Sequence, residues 1–293
     1  MRPHIIFNPI AGSAANTAPI LAKLKRLRPS TLSITKKSGD AEKWTHRTIR
    51  SGCDYLVVAG GDGTLNEVVN GAARARRAPQ IGIVPLGTGN DFARTLGLPL
   101  SLDDNIDILR AAKSTPIDIV RVKSKRTRYF VNVSAGGFSG MVDEKITPKI
   151  KQTWGPLAYV RGAAAALPKL HAYKTQLVLD DREELSTELY NVVIANGRFV
   201  AGGLPIAPEA DPSDGLLEVV LIPKLGAAEM ALLAAEVVLG KHLSSNATIF
   251  RRAGKIAVRS RPGMWFNVDG ELVGNAPAVF QIVPNALNFI VEK

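Results

Sequence analysis

With 293 residues and 46% apolar side chains, the chain exceeds one typical domain and can bury ordinary cores, so two domains are expected. A single cysteine, Cys53, excludes an internal disulfide, and the histidines at 4, 46, 171 and 242 lack metal-ligand spacing, which argues against a zinc site. The formal charge of +11 suits an anionic membrane surface or nucleic acid, but 6% aromatics supply few base-stacking platforms, so nucleic acid is the weaker partner.

In chain order, strand-like runs near 4–7, 32–34, 55–59 and 81–84 alternate with helical patterns near 14–28, 41–51, 64–76 and 91–96. That alternation specifies an α/β domain with a parallel, doubly wound sheet over residues 1–115. From 116 to 293 the pattern changes to short β runs near 117–122, 129–133, 175–179, 189–195, 216–221, 255–258, 265–268 and 278–283. Helical patterns near 155–167 and 226–240 interrupt them. The expectation is a mainly β, sandwich-like second domain, with the extreme C-terminus able to return to the first. The first strand begins at residue 4 and leaves no room for a secretory leader, so a cytoplasmic protein is expected. The stretch 227–239 carries Glu229 and Glu236 and is shorter than the roughly 20 apolar residues of a membrane span, so no transmembrane segment is expected.

The third strand runs into Gly60-Gly61-Asp62-Gly63-Thr64-Leu-Asn66-Glu67. Glycines at 60, 61 and 63 permit positive φ and close backbone approach, so amide N–H groups can converge on anionic oxygens. Thr64 and Glu67 have capping-box spacing, and a helix start after a glycine turn favours phosphate. A lone carboxylate, Asp62, within an anion site calls for a bridging divalent cation such as Mg²⁺. Two more strand exits have the same character, Asn8-Pro9-Ile-Ala-Gly12 and Pro85-Leu-Gly87-Thr88-Gly-Asn90-Asp91. Each alone reads as an ordinary turn. Three at the carboxyl ends of parallel strands imply one shared site. Neither G-x-x-x-x-G-K-[ST] nor G-x-G-x-x-G is present, so the phosphate loop is of another type.

In the second half, Asn267-Val-Asp269-Gly-Glu271-Leu reads first as a hairpin with an Asp-Gly type I′ turn. Glu209-Ala-Asp211-Pro-Ser-Asp214-Gly-Leu216-Leu reads as a polar turn, or as a hard-cation loop if carbonyls join the carboxylates. Residues 154–159, with Lys149 and Lys151 before them, form a basic-apolar segment suited to a bilayer surface or to a buried helix.

These motifs, with Val131 to Gly137, Asn196-Gly197, Gly202-Gly203, Pro208 and the Asp-Gly-Glu at 269–271, stand in an order that resembles the diacylglycerol kinase catalytic family, which includes sphingosine and ceramide kinases and bacterial soluble relatives. The resemblance covers nearly the whole chain. It implies ATP and Mg²⁺ as cofactors and a lipid acceptor met at a membrane surface. It implies nucleotide binding by Asn8 to Gly12 and Gly61 to Glu67, with Thr88 beside the phosphates and Thr35 reaching the nucleotide, although Thr35-Lys36 departs from the family's double Thr. It implies Glu271 as proton acceptor, with Asp269 sharing the proton or organising Mg²⁺, and a structural Mg²⁺ at Asp211, Asp214 and the carbonyl of Leu216. His242 matches a family position and is read as structural. Gly-Gly-Asp-Gly also occurs in NAD kinases, which leaves an NAD kinase reading open beside a non-catalytic nucleotide- or polyanion-binding protein. An edge strand of either sheet is available for pairing in a homodimer.

Overall fold

Short apolar runs buried on both faces make the first half's sheet parallel. In this computed structural model, which describes residues 2–137 and 171–292 except 13, 15, 16, 76, 77 and 276, β1 (His4–Phe7), β2 (Thr31–Ile34), β3 (Tyr55–Gly60) and β4 (Gln80–Pro85) lie in the order β4-β3-β1-β2. Phe7 stands level with Ala59, and Ala59 with Val84. Alternate residues feed opposite cores. Ile6, Leu56, Val58, Ile81 and Ile83 pack with α2 (Asp40–Arg50), α3 (Asp62–Ala72) and the short α4 (Asp91–Thr95). Ile5, Phe7, Val57, Ala59 and Val84 pack with α1 (Thr17–Leu24) and α5 (Leu102–Ala111) on the other face.

Two helices depart from the sequence expectation. The pattern near 14–28 yields only the eight-residue α1, followed by a 3₁₀ turn that closes at Arg28 with φ 50°. α5 lies where no helix is expected. Its signal is slight: Ser101 at the N-cap, Asp103 and Asp104 in the first turn, and Asn105, Ile106 and Leu109 buried.

The β-rich half begins with β5 (Ser114–Lys123), β6 (Thr127–Phe130) and β7 (Val133–Gly137). It continues through β8 (Tyr173–Leu179), β9 (Glu183–Ala195), the small β10 (Phe199–Val200) and β11 (Leu204–Pro205) hairpin, β12 (Leu217–Pro223), α6 (Ala227–Val238), β13 (Ile249–Ala253) and β14 (Lys255–Arg261). It ends with β15 (Phe266–Val268), β16 (Glu271–Gly274) and β17 (Ala278–Ile290). The helical pattern near 155–167 and the segment 149–159 lie outside the described residues. Most of these strands enclose one core, in which Phe280 meets Phe130 and Phe266 edge to face at 6.3 and 5.3 Å between centroids.

β17 joins the halves. It pairs antiparallel with β5 along its length and with β14 over its first residues, and Asn288 and Phe289 then run parallel to β4. One continuous sheet therefore carries both halves, and the exits of β1, β3 and β4 face the β15–β16 turn and α6 across a cavity of about 950 Å³. Among the described residues, no helix is long and apolar enough to cross a membrane.

Candidate active site

Three strand-exit loops form one end of the cavity because each is tied to the next. The Asn8 amide donates from Nδ2 to Thr64 Oγ1 at 2.9 Å, and Asn8 Oδ1 accepts the Ile10 N–H at 3.1 Å. Leu86 N–H donates to Gly60 O at 2.9 Å. A methyl group added at Gly61 would lie 2.9 Å from Gly87 Cα, and one at Gly87 would lie 2.5 Å from Gly61 Cα. One at Gly12 would meet Thr88 Oγ1 at 2.7 Å. The loops touch backbone to backbone, and only glycine permits it.

The loops differ from two sequence expectations. Gly60, Gly61 and Gly63 are not among the positive-φ residues, and Gly61 is extended at φ −98°, ψ −173°. Gly60 and Gly61 are required by contact, with Thr64 and Gly87, and not by conformation. Thr64 and Glu67 do not form a capping box, since α3 already starts at Asp62 and Thr64 is turned to Asn8. Glu67 instead reaches α2, accepting the N–H groups of Gly39 and Ala41 at 2.8 and 3.0 Å and the Ser38 hydroxyl at 3.2 Å. It caps a neighbouring helix and so fixes the loop from Thr35 to Asp40 at the cavity.

Asn8, Gly12, Thr35, Gly61, Asp62, Gly63, Thr64, Asn66, Glu67, Gly87 and Asp91 all border the cavity, as do Asp269 and Glu271. Gly63 has open space where a Cβ would stand, so a ligand can approach its backbone. Pro9, Gly60, Thr88 and Asn90 support the loops from outside the lining. Asn90, at φ 54°, braces its turn by exchanging two 2.8 Å hydrogen bonds with Gly87.

Carboxylates gather beside these loops. Asp62 accepts the Phe92 N–H at 3.4 Å, and Asp91 accepts from Gly202 and Gly203 at 2.9 and 2.8 Å, which ties α4 to the turn before β11. The point where a Gly89 Cβ would stand is 3.0 Å from an oxygen of each. Burial raises the pKa of Asp62, and burial followed by the Asp62 charge raises that of Asp91. Asp269 and Gly270 have φ 44° and 89°, and Val268 is paired with Glu271, so they form the two-residue hairpin turn that the sequence implies. The Asp269 carboxylate points inward. Its Oδ1 accepts Val133 N–H at 2.9 Å, and its Oδ2 accepts Val131 and Asn132 N–H at 3.1 and 3.3 Å. Burial pushes it up to about 7 against the pull of these donors.

Glu271 faces two guanidinium groups that the sequence reading did not single out. Arg128 donates to Oε2 from Nη2 and Nε at 2.6 and 3.0 Å, and Arg126 bonds Oε1. Arg128 also bonds Glu42 of α2 at 2.9 Å, so it bridges the two halves. Its only trace in the sequence is the basic run 121–128, which β5, β6 and the turn between them carry.

The Asp211 to Leu216 loop lies apart from this cavity's lining. Asp211 Oδ1 accepts Ser213 N–H and Oγ–H at 2.9 and 2.6 Å, while Asp214 accepts the Leu216 N–H at 2.9 Å and pairs with Arg252. Buried Asp118 holds the loop by accepting Gly215 N–H at 2.8 Å. Nearby Glu218 is buried with neither oxygen hydrogen-bonded, and burial pushes it up to about 7. Among the described residues, no group of three or more His, Cys, Asp or Glu is placed to hold a metal. Asn196 fastens β5 to the segment after β6, donating to Asp118 O and Val131 O at 3.1 and 2.8 Å. His242 is buried and hydrogen-bonded to Ile206 O at 2.8 Å, a structural placement.

Away from the loops the cavity turns apolar. Val193 of β9, Leu204, Ile222 of β12 and the α6 residues Met230, Leu233 and Val237 line this arm. No motif marks it, because interchangeable aliphatic residues build it.

The chain matches the model of the diacylglycerol kinase catalytic domain over residues 2–122 and that of the YegS C-terminal NAD kinase beta sandwich-like domain over residues 132–291. It is 34% identical over 283 residues to a diacylglycerol kinase of Staphylococcus saprophyticus, covering 95% of this chain and 92% of that one. With a diacylglycerol kinase of Staphylococcus epidermidis it shares 34% identity over 296 residues, covering 100% and 92%. Among solved structures, a diacylglycerol kinase from Bacillus anthracis superposes with a TM-score of 0.74 at 22% identity, covering 99% and 97% of the two chains. An NAD kinase from Archaeoglobus fulgidus in complex with ATP superposes at 0.54 and 16% identity, covering 99% and 93%. At these identities the structures share the fold: an α/β half followed by a β sandwich-like half.

Proposed function

We propose that this chain, which belongs to the diacylglycerol kinase family, transfers the γ-phosphoryl group of ATP to the hydroxyl of diacylglycerol or a closely related lipid. One observation carries the reading: the glycine loops and the apolar arm open into a single cavity of about 950 Å³. A polar phosphate end and a hydrocarbon end are what a lipid kinase must bring together.

Phosphoryl transfer depends mainly on positioning and charge neutralisation. Gly63 leaves room for phosphate oxygens to reach backbone N–H groups, and the close contacts of Gly12, Gly61 and Gly87 hold the three loops together around it. Asp62 is the residue that would hold Mg²⁺, because its buried carboxylate, with the Asp91 carboxylate beside it, would gain from a cation, whereas Asp91 is engaged by the Gly202 and Gly203 N–H groups. Mg²⁺ bound there would neutralise charge on the transferring group. Glu271 is the proton acceptor for the lipid hydroxyl, oriented by Arg126 and Arg128. A loose transition state asks of this carboxylate chiefly that it be in position. Asp269 holds the turn that presents Glu271. The loop at Asp211, Asp214 and Leu216 does not fit a bare cation as it stands, because its carboxylates are engaged by Ser213, Leu216 and Arg252. A cation there must displace Arg252.

The test is incubation with γ-labelled ATP, Mg²⁺ and micelles of diacylglycerol, monoacylglycerol, ceramide or sphingosine, following label into the organic phase. Labelled lipid supports the reading and names the acceptor. Label in NADP from soluble NAD, with none in lipid, would replace it with an NAD kinase.

A further inference from the structure

α6 carries apolar residues on its outer side as well as its inner side. Its inward residues Met230, Leu233 and Val237 border the apolar arm. Ala227, Ala228, Ala231, Leu232, Ala235 and Leu239 are exposed, with Leu232 at 61% and Leu239 at 68%. A helix on a protein surface ordinarily turns polar residues to water. The one charged residue on this face, Glu229, is spent on the helix's own start, accepting the Gly226 N–H at 2.7 Å. Glu236 is partly buried and has an oxygen wholly out of solvent. Exposed lysines stand at both ends, Lys224, 3.8 Å from a carboxylate oxygen of Glu188, and Lys241.

We propose that the outer face of α6 seats the protein on an anionic bilayer, so that a lipid passes beside this helix into the apolar arm without crossing water. The proposal rests on the lipid-kinase reading and names the surface through which the acceptor arrives. Three features select a bilayer as the occupant. The exposed face is continuous, through one helix, with the hydrocarbon end of the cavity. The lysines at its ends can reach lipid phosphates while their stems stay apolar, and the net charge of +11 adds attraction to an anionic surface. The strip is about 20 Å long and one helix wide, on the order of 200 Å², and a stable interface with a second protein buries roughly 800 Å² per partner. A short apolar strip flanked by lysines is enough for interfacial adsorption.

The experiment compares the parent with the double variant Leu232→Glu/Leu239→Glu, whose side chains are exposed and outside the cavity lining. Both are sedimented with phosphatidylglycerol vesicles and with phosphatidylcholine vesicles. Both are then assayed on diacylglycerol embedded in the phosphatidylglycerol vesicles and on water-dispersed dioctanoylglycerol. Parent bound to phosphatidylglycerol vesicles, with binding and vesicle-substrate turnover falling about tenfold in the variant and dioctanoylglycerol turnover unchanged, is the expected result. Equal vesicle binding by parent and variant overturns the proposal while leaving the kinase reading intact if dioctanoylglycerol is phosphorylated. Vesicle binding lost in the variant, with no lipid phosphorylated by either protein, retains the surface and removes the kinase. A parent dimer that the variant converts to monomer, with vesicle binding unchanged, assigns the face to a second copy instead.

Discussion

Asp269→Asn separates a structural clamp from a reacting carboxylate. The native side chain serves three backbone donors, one on Oδ1 and two on Oδ2. The amide has one acceptor oxygen, so its best placement satisfies Val131 and Asn132 and turns its NH₂ toward the Val133 N–H. One orphaned buried donor costs about 1–3 kcal/mol. Against this stands the cost of the buried charge. The pKa of Asp269 rises from 3.8 to about 7, which corresponds to roughly 4 kcal/mol between the protonated and fully ionised limits. Because the folded value lies above the unfolded one, the parent is free of this cost below pH 4, and its stability falls as pH climbs to about 7 and the full cost sets in. The assay is urea unfolding of parent and variant from pH 4 to 8. The parent's advantage should be largest near pH 4 and should shrink or reverse by pH 8, while the fall contributed by Glu218 over the same range, from 4.5 to about 7, remains in both proteins. An advantage that grows with pH would refute the reasoning, because it would mean that the three N–H donors hold Asp269 ionised in the folded protein.

Gly61→Ala places a methyl group 2.9 Å from Gly87 Cα, so the second and third loops must separate. A stability loss of about 1–3 kcal/mol should accompany weaker ATP binding in a nucleotide titration, and unchanged affinity would contradict the contact. Glu67→Ala removes the acceptor for Gly39 and Ala41 N–H, costing about 1 kcal/mol by thermal or urea unfolding. It should also raise the KM for ATP by loosening the Thr35 to Asp40 loop, whereas a variant as stable as the parent would return Glu67 to an ordinary surface role. If Mg²⁺ displaces Arg252 from Asp214, added Mg²⁺ raises the Tm of the parent but not of Asp214→Asn in a melting titration without nucleotide. Equal shifts in both would remove the cation from that loop.

The parallel sheet was legible because Ile5 to Phe7, Leu56 to Val58 and Ile81 to Val84 are apolar on consecutive positions, the mark of strands covered on both faces. The three loops were legible because glycine, asparagine and aspartate cluster at strand ends. Why the glycines are needed was not, since Gly61 meets Gly87 only after two strands align in register. Glu67 misled for the same reason: capping-box spacing is local, whereas its partners, Ser38, Gly39 and Ala41 at the start of α2, are 26 to 29 residues away. Arg126 and Arg128 carried no signal beyond charge, because β5 and β6 place them beside a hairpin more than 140 residues later. The apolar arm was silent because Val, Leu and Ile lining a cavity read like Val, Leu and Ile in a core.

The most direct test of the account is single-turnover transfer from γ-labelled ATP to micellar diacylglycerol by the parent and by Glu271→Gln. The parent is expected to move label into the lipid, and Glu271→Gln to do so at least about 100-fold more slowly while binding ATP as well as the parent does. Equal rates in the two proteins, or no labelled lipid from a parent that binds ATP, would contradict the claim that this one cavity joins nucleotide and lipid through Glu271.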